Sequence, residues 1–270
     1  MPRDPHKDQP ILQGGAPLAE ATGALILLHG RAGSAQDMLT LARAQDAGSQ
    51  GWSPLSRRER GTGGEARRAA AEGTGGEAGR AAGEGTGGET GRAAGEGSGG
   101  EAGVARFAWF VPEAAGRQWY PYSLLEKVAK NQGALNSALS LVKRILEKAA
   151  AANIPPERIA LLGFSQGASV ALEFAARNAQ RYGALIALSG ALLGPEGTPR
   201  EYEGSLAGTP LFLGSGDRDP NIPKRRVDET ATVFERLGAV VTKKIYEGLA
   251  HAIEPDEITR ARVMLEGIVP

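Results

Sequence analysis

The sequence predicts an α/β fold in which helices cover both faces of a mainly parallel sheet. Short apolar runs alternate with segments of helical periodicity from Leu25 to the C-terminus, and this alternation is typical of βα units. The chain has 270 residues, of which 41% are hydrophobic, and this is enough for one α/β domain with a buried core. We therefore expect a single domain over residues 1–270 that is interrupted by one low-complexity insert.

Individual strands and helices follow from the apolar patterns. Apolar side chains between Leu135 and Ala149 recur at spacings of three and four, and Pro155 and Pro156 follow, so we expect an amphipathic helix that ends before them. Further helices are predicted at 166–178, about 225–237 and 255–268. The predicted strands are 25–29, 107–111, 159–163, 184–188, 210–214 and 240–246.

The insert occupies residues 61–103 and is a repeat. Thr-Gly-Gly-Glu at 62–65 recurs at 74–77 and 86–89, and Ser-Gly-Gly-Glu follows at 98–101. Alanine is its only apolar residue, so little burial would offset an ordering cost of about 1–2 kcal/mol per residue. We predict disorder, because the alternative, a solenoid array, needs large apolar residues in each repeat.

Composition excludes several classes of function. Lys plus Arg and Asp plus Glu are equal at 31 each, so no nucleic acid partner is expected. The charged, proline-broken start and the lack of a long apolar run predict neither a secretory signal nor a membrane span, which favours a cytoplasmic protein. There is no cysteine, and the histidines are His6, in a tail expected to be loose, His29 and His251. We expect no metal and no cofactor.

A candidate nucleophile lies in the segment Gly163-Phe-Ser-Gln-Gly167. This G-x-S-x-G pattern follows a predicted strand and precedes a predicted helix, as in the nucleophile elbow of the α/β-hydrolase fold. Ser165 would occupy the apex of a sharp turn, where glycine neighbours allow strand and helix to approach closely. The alternative is a glycine-flanked turn with a surface serine.

A serine nucleophile needs a base, and His251 is the best candidate because it lies in a loop between the last strand and the last helix. Asp217 and Asp219 follow the preceding strand, and either could orient the imidazole. We favour Asp219. The chain order Ser165, Asp219, His251 agrees with the order of the triad in this fold. Asp217 is expected to bond backbone amides.

Stabilisation of a negatively charged intermediate needs preorganised donors. The expected pair is the backbone N–H of Gln166, at a helix start, and that of Arg31 in the HGRAG turn. HGRAG could instead be only a glycine turn. Trp119 and Tyr120 follow a strand at the same edge, where they could line a substrate pocket or serve as packing residues.

Six segments in this order resemble the phospholipase/carboxylesterase family, which includes the acyl-protein thioesterases: LLHGRAGSAQDML, PEAAGRQWYP, GFSQGASVALEFA, LSGALLGP, GDRDPNIP and YEGLAHAIEPDEI. The resemblance implies an α/β-hydrolase fold and metal-free hydrolysis of a small ester, thioester or lysophospholipid. It also implies a catalytic triad of Ser165, Asp219 and His251.

The insert departs from this family, which usually has a short connection where residues 46–103 stand here. Since a helix that starts at the C-terminal edge of a sheet ends at the opposite edge, we expect the insert to leave the fold away from the active site. Deletion of residues 61–100 should leave ester turnover within a few-fold. A large loss of turnover in a folded deletion variant would contradict this.

Three other interpretations stay open at this point. The chain could be a non-catalytic binding module on the same fold, an acyltransferase, or an enzyme that cleaves peptides. Product analysis separates transfer from hydrolysis, since hydrolysis yields free acid. The sequence does not decide between a monomer and a homodimer.

Overall fold

A computed structural model describes residues 4–46 and 106–268, and a seven-stranded sheet lies at the centre of this part of the chain. The strands are β1 (Ile11–Gly15), β2 (Gly23–Leu28), β3 (Phe107–Pro112), β4 (Ile159–Phe164), β5 (Ala184–Leu188), β6 (Pro210–Gly216) and β7 (Val240–Tyr246). Their order is β1-β3-β2-β4-β5-β6-β7. Every neighbouring pair is parallel except β1 with β3. The predicted α/β-hydrolase fold with a mainly parallel sheet is therefore confirmed.

The six predicted strands are all present, and β1 is a seventh strand that the apolar patterns do not predict. Its five residues, ILQGG, contain two large apolar side chains and no alternation. It pairs antiparallel with β3 alone, from Ile11 opposite Pro112 to Gly15 opposite Ala108. Its strand conformation therefore depends on the free edge of β3, which is a tertiary feature.

Five α-helices flank the sheet in the described residues, and they alternate with the strands as predicted. They are α1 (Ala35–Asp46), α2 (Val128–Ala151), α3 (Gln166–Arg177), α4 (Lys224–Arg236) and α5 (Pro255–Glu266). The helices α2, α3 and α4 pack on one face of the sheet, whereas α1 and α5 pack on the other. The central strands β2 to β5 are buried along almost their whole length, because helices cover both of their faces.

The repeat insert predicted at 61–103 lies outside the described residues. No helix within residues 4–46 and 106–268 has the length and apolar character needed to cross a membrane.

The helix α5 carries a carboxyl group that is buried against strand β6. Glu257 is fully buried, and its Oε2 accepts the backbone N–H of Glu254 at 2.7 Å. Its Oε1 has no partner among the described residues. Gly214 leaves the space for it, since an added Cβ there would lie 1.9 Å from Oε1. Burial raises the pKa of Glu257 to about 8.

This carboxyl group should make the stability of the protein depend on pH. Between the ordinary value of 4.5 and about 8, the folded state holds a proton that the unfolded state releases, so the free energy of unfolding falls as pH rises through this range. Glu257→Gln stays neutral. We therefore expect the melting temperature of Glu257→Gln minus that of wild type to increase by several degrees between pH 5 and pH 8.5.

The matched control is Glu266→Gln, which removes an exposed carboxylate from the end of the same helix. The difference between the melting temperature of this control and that of wild type should stay nearly constant with pH. Thermal melts at the two pH values provide the test. If the difference in melting temperature between Glu257→Gln and wild type is equally constant, the Glu257 carboxyl group does not titrate in this window.

Candidate active site

Ser165 lies at the apex of the turn between β4 and α3, with φ of 55° and ψ of −118°. A non-glycine residue in this region of backbone space carries about 1–3 kcal/mol of strain. The flanking glycines permit the turn. An added Cβ on Gly163 would lie 2.4 Å from the backbone nitrogen of Ala168, and one on Gly167 would lie 2.1 Å from the carbonyl oxygen of Leu28. The strand, turn and helix therefore form the elbow that the sequence predicts.

A continuous chain of hydrogen bonds joins Ser165, His251 and Asp219. The Oγ of Ser165 is 2.8 Å from Nε2 of His251, and Nδ1 of His251 is 2.7 Å from Oδ2 of Asp219. An ionised carboxylate only accepts hydrogen bonds, so Nδ1–H donates to Asp219 and leaves the lone pair of Nε2 to accept the serine hydroxyl. The Phe164 ring also supports the imidazole, at 5.0 Å between ring centroids.

Asp219 is held ionised by its partners. Its Oδ1 accepts the backbone N–H groups of Asn221 and Ile222 at 2.8 and 3.0 Å. Burial alone would raise the pKa of this carboxyl group, but the hydrogen bond and charge interaction with His251, together with these amides, outweigh it and lower the pKa. The sequence Asp-Pro-Asn-Ile is a local signal for this Asx-type turn.

Asp217 bonds backbone groups, whereas Asp219 bonds the His251 ring. Its Oδ1 accepts the backbone N–H of Gly248 at 2.7 Å, and its own N–H donates to the carbonyl oxygen of Tyr246. Asp217 thus ties the end of β6 to the loop that carries His251. Its predicted role as an acceptor for backbone amides agrees with these contacts.

The two amides predicted for the oxyanion hole flank the serine. Gln166 is the first residue of α3, where backbone N–H groups lack partners within the helix. Arg31 follows Gly30, and an added Cβ on Gly30 would lie 3.3 Å from Cβ of Ser165. Among the turn and loop hydrogen bonds of the described residues, neither N–H has a backbone acceptor. A role for both N–H groups as oxyanion-hole donors stays a prediction.

Trp119 and Tyr120 are packing residues in this structure. Their exposed fractions are 0% and 2%, so neither ring offers a face to a ligand arriving from solvent. The Trp119 indole donates to the carbonyl oxygen of His29 at 2.7 Å, and burial raises the pKa of the Tyr120 phenol well above its ordinary value. These contacts favour the packing alternative, and a substrate-binding role for the two rings stays a prediction.

His6 is buried, which corrects the expectation of a loose tail. Its Nδ1 accepts the backbone N–H of Ala115 at 3.1 Å, so Nε2 carries the proton and donates to the carbonyl oxygen of Trp119 at 3.1 Å. Its own backbone N–H donates to Oγ of Ser137. Burial lowers the pKa of His6. These partners are distant in sequence, so local composition gave no signal for this packing.

His29 is also buried beside Trp119, and each of its ring nitrogens has a hydrogen bond to a backbone group. Its Nε2 accepts the backbone N–H of Ala114 at 3.0 Å, and Nδ1–H donates to the carbonyl oxygen of Gly30 at 2.7 Å. Burial lowers the pKa of His29. Within residues 4–46 and 106–268, no cluster of three or more histidine or acidic side chains is placed to hold a metal ion.

The parallel sheet, the serine elbow after β4, and a histidine and an aspartate from later loops define a protein of the α/β-hydrolase fold. Sequence comparison gives the family. A profile of the phospholipase/carboxylesterase family matches residues 108–268, and the chain belongs to this family.

Individual relatives agree with the family assignment. A crystal structure of a phospholipase/carboxylesterase from Dyadobacter fermentans superposes with a TM-score of 0.71 at 30% identity, and 96% of each chain is covered. Acyl-protein thioesterase 1 of Saccharomyces cerevisiae is 33% identical over 126 residues, which are 46% of this chain and 54% of the relative. The Candida albicans protein of the same name is 34% identical over 141 residues, which are 51% of this chain and 61% of that relative. The chain thus spans about half the length of the curated relatives it matches.

Proposed function

We propose that this protein is a serine hydrolase that cleaves small carboxylic esters or thioesters through an acyl-serine intermediate. One observation carries the proposal: the unbroken hydrogen-bond chain from Ser165 through His251 to Asp219. A serine hydroxyl is a weak nucleophile at neutral pH unless an oriented base accepts its proton. The relatives named carboxylesterase and acyl-protein thioesterase support the same chemistry.

The first half of the reaction forms the acyl-enzyme. Oγ of Ser165 attacks the acyl carbon while Nε2 of His251 accepts the hydroxyl proton, and Asp219 stabilises the resulting imidazolium. The carbonyl oxygen becomes an oxyanion that accepts hydrogen bonds from the backbone N–H groups of Arg31 and Gln166. The C–O or C–S bond then breaks, and Nε2 gives the proton to the leaving alcohol or thiol.

The second half releases the acid. Nε2 of His251 takes a proton from water as the water oxygen attacks the acyl carbon of the ester on Ser165. The bond from Oγ to the acyl carbon then breaks, and the proton on Nε2 returns to Oγ. The net reaction consumes one water and requires no cofactor or metal.

Labelling with a fluorophosphonate tests the proposal first. We expect stoichiometric modification of the purified protein, with mass spectrometry locating the phosphonyl group on Ser165. Ser165→Ala should not be labelled, and it should melt within a few degrees of wild type. A folded wild-type protein that resists the reagent would contradict an activated serine and favour a non-catalytic binding module.

Product analysis separates hydrolysis from transfer. Incubation with p-nitrophenyl butyrate or butyryl thiocholine should give free butyric acid in amounts equal to the released alcohol or thiol. A deficit of free acid, with an equal amount of acylated acceptor when an alcohol is added, would indicate an acyltransferase instead.

A further inference from the structure

The side chains of Arg31 and Gln166 both bind the main chain of one loop, residues 118–122. Oε1 of Gln166 accepts the backbone N–H of Trp119 at 3.0 Å, and its Nε2 donates to the carbonyl oxygen of Tyr120 at 2.8 Å. Nη2 of Arg31 donates to the same Tyr120 oxygen at 3.0 Å and to the carbonyl oxygen of Pro121 at 3.0 Å. The Tyr120 carbonyl is therefore a shared acceptor for two residues that are 135 positions apart in the chain.

The 118–122 loop is itself firmly held, so it can act as a reference point. The Trp119 indole donates to the carbonyl oxygen of His29 at 2.7 Å, and the backbone N–H of Tyr122 donates to Oδ1 of Asn131 at 2.9 Å. Trp119 and Tyr120 are buried. The Trp119 indole bond is shielded from water, and such a bond holds its geometry better than an exposed one does.

We infer that the side chains of Arg31 and Gln166 are positioning groups that fix, through the Tyr120 carbonyl, the separation of the two oxyanion-hole amides. The inference rests on the proposed function, because the backbone N–H groups of these same residues are the proposed donors. The N–H of Gln166 comes from a helix and that of Arg31 from a loop next to Ala32, which has φ of 60°. A common anchor holds the two amides in one geometry.

The need for such an anchor follows from the chemistry. Donors to an oxyanion act only within a few tenths of an ångström of the position that the oxygen occupies in the transition state. A displacement of about 1 Å costs on the order of 100-fold in rate. The ground-state substrate is less sensitive to this displacement, so a positioning defect should lower kcat more than it raises KM.

The test compares wild type with Arg31→Met, Gln166→Met and the double variant, using p-nitrophenyl butyrate. Methionine keeps similar volume but lacks the hydrogen bonds. We expect each single change to lower kcat by about 10- to 100-fold while KM stays within about 3-fold. Because both side chains hold the same loop and share the Tyr120 carbonyl, the kcat of the double variant should lie within about 3-fold of that of the less active single variant. Fluorophosphonate labelling of Ser165 should slow in parallel.

Arg181→Met is the matched control, because Arg181 is an exposed arginine that donates to the carbonyl oxygen of Ala207 at 2.8 Å. It should retain wild-type kcat. Melting curves accompany every variant. Arg31 is half-buried, so Arg31→Met provides the test even where the buried Gln166→Met does not fold.

Two results would overturn the inference. Folded single variants with wild-type kcat would show that the contacts are only structural, and losses that multiply in the double variant would show that the residues act independently. A wild-type protein that neither labels at Ser165 nor hydrolyses the ester would instead contradict the proposed function. The two failures are therefore distinguishable.

Discussion

Replacing His251 by alanine is expected to lower ester turnover by about 10,000-fold or more, the loss typical for a base that acts as one unit with its nucleophile. His251 is the proposed base because its Nε2 lies 2.8 Å from Oγ of Ser165. The other described histidines are buried and bonded to backbone groups on both ring nitrogens. Turnover is measured with p-nitrophenyl butyrate at neutral pH.

The comparison that makes this result informative is Ser165→Ala and the double variant. If His251 acts only by activating Ser165, both single variants and the double variant should fall to the same residual rate. All three should keep a cooperative melt, since His251 lies in a loop outside the strands and helices. If a folded His251→Ala protein keeps more than about a tenth of wild-type turnover, a group other than His251 acts as the base.

Asp219→Asn is the second change with a very large expected effect, a fall of about 10,000-fold in kcat. The carboxylate Oδ2 accepts Nδ1–H of His251 at 2.7 Å. Asparagine keeps the size of the side chain but can present an N–H to Nδ1, which favours the tautomer with the proton on Nε2. That tautomer cannot accept the hydroxyl proton of Ser165.

Asp217→Asn is the matched control, two positions away. Its acceptor oxygen binds the backbone N–H of Gly248, and an amide oxygen can accept the same bond. We therefore expect Asp217→Asn to stay within about 10-fold of wild type. Equal losses in the two variants, or a larger loss at Asp217, would contradict the assignment of Asp219 as the orienting acid.

Much of the site could be predicted from sequence because its signals are local. The Ser165 elbow depends on the glycines within two residues of it, and these are visible in the pentapeptide. His251 follows from elimination among three histidines and from its loop between a strand and a helix. Order along the chain does not separate Asp219 from Asp217, since both lie in one turn between Ser165 and His251. The hydrogen bond from His251 to Asp219 separates them.

The sequence by itself determined the alternation of strands and helices, and it predicted the chain positions of the proposed nucleophile, acid and base, because periodicity and turn chemistry are local properties. Only the tertiary structure decided which residues meet across long separations. It formed β1 on the free edge of β3, buried His6 against Trp119, and placed Trp119 and Tyr120 in the core. It also joined Arg31 and Gln166 at the Tyr120 carbonyl. Such contacts are set by the packing of whole elements, which no short window of sequence records.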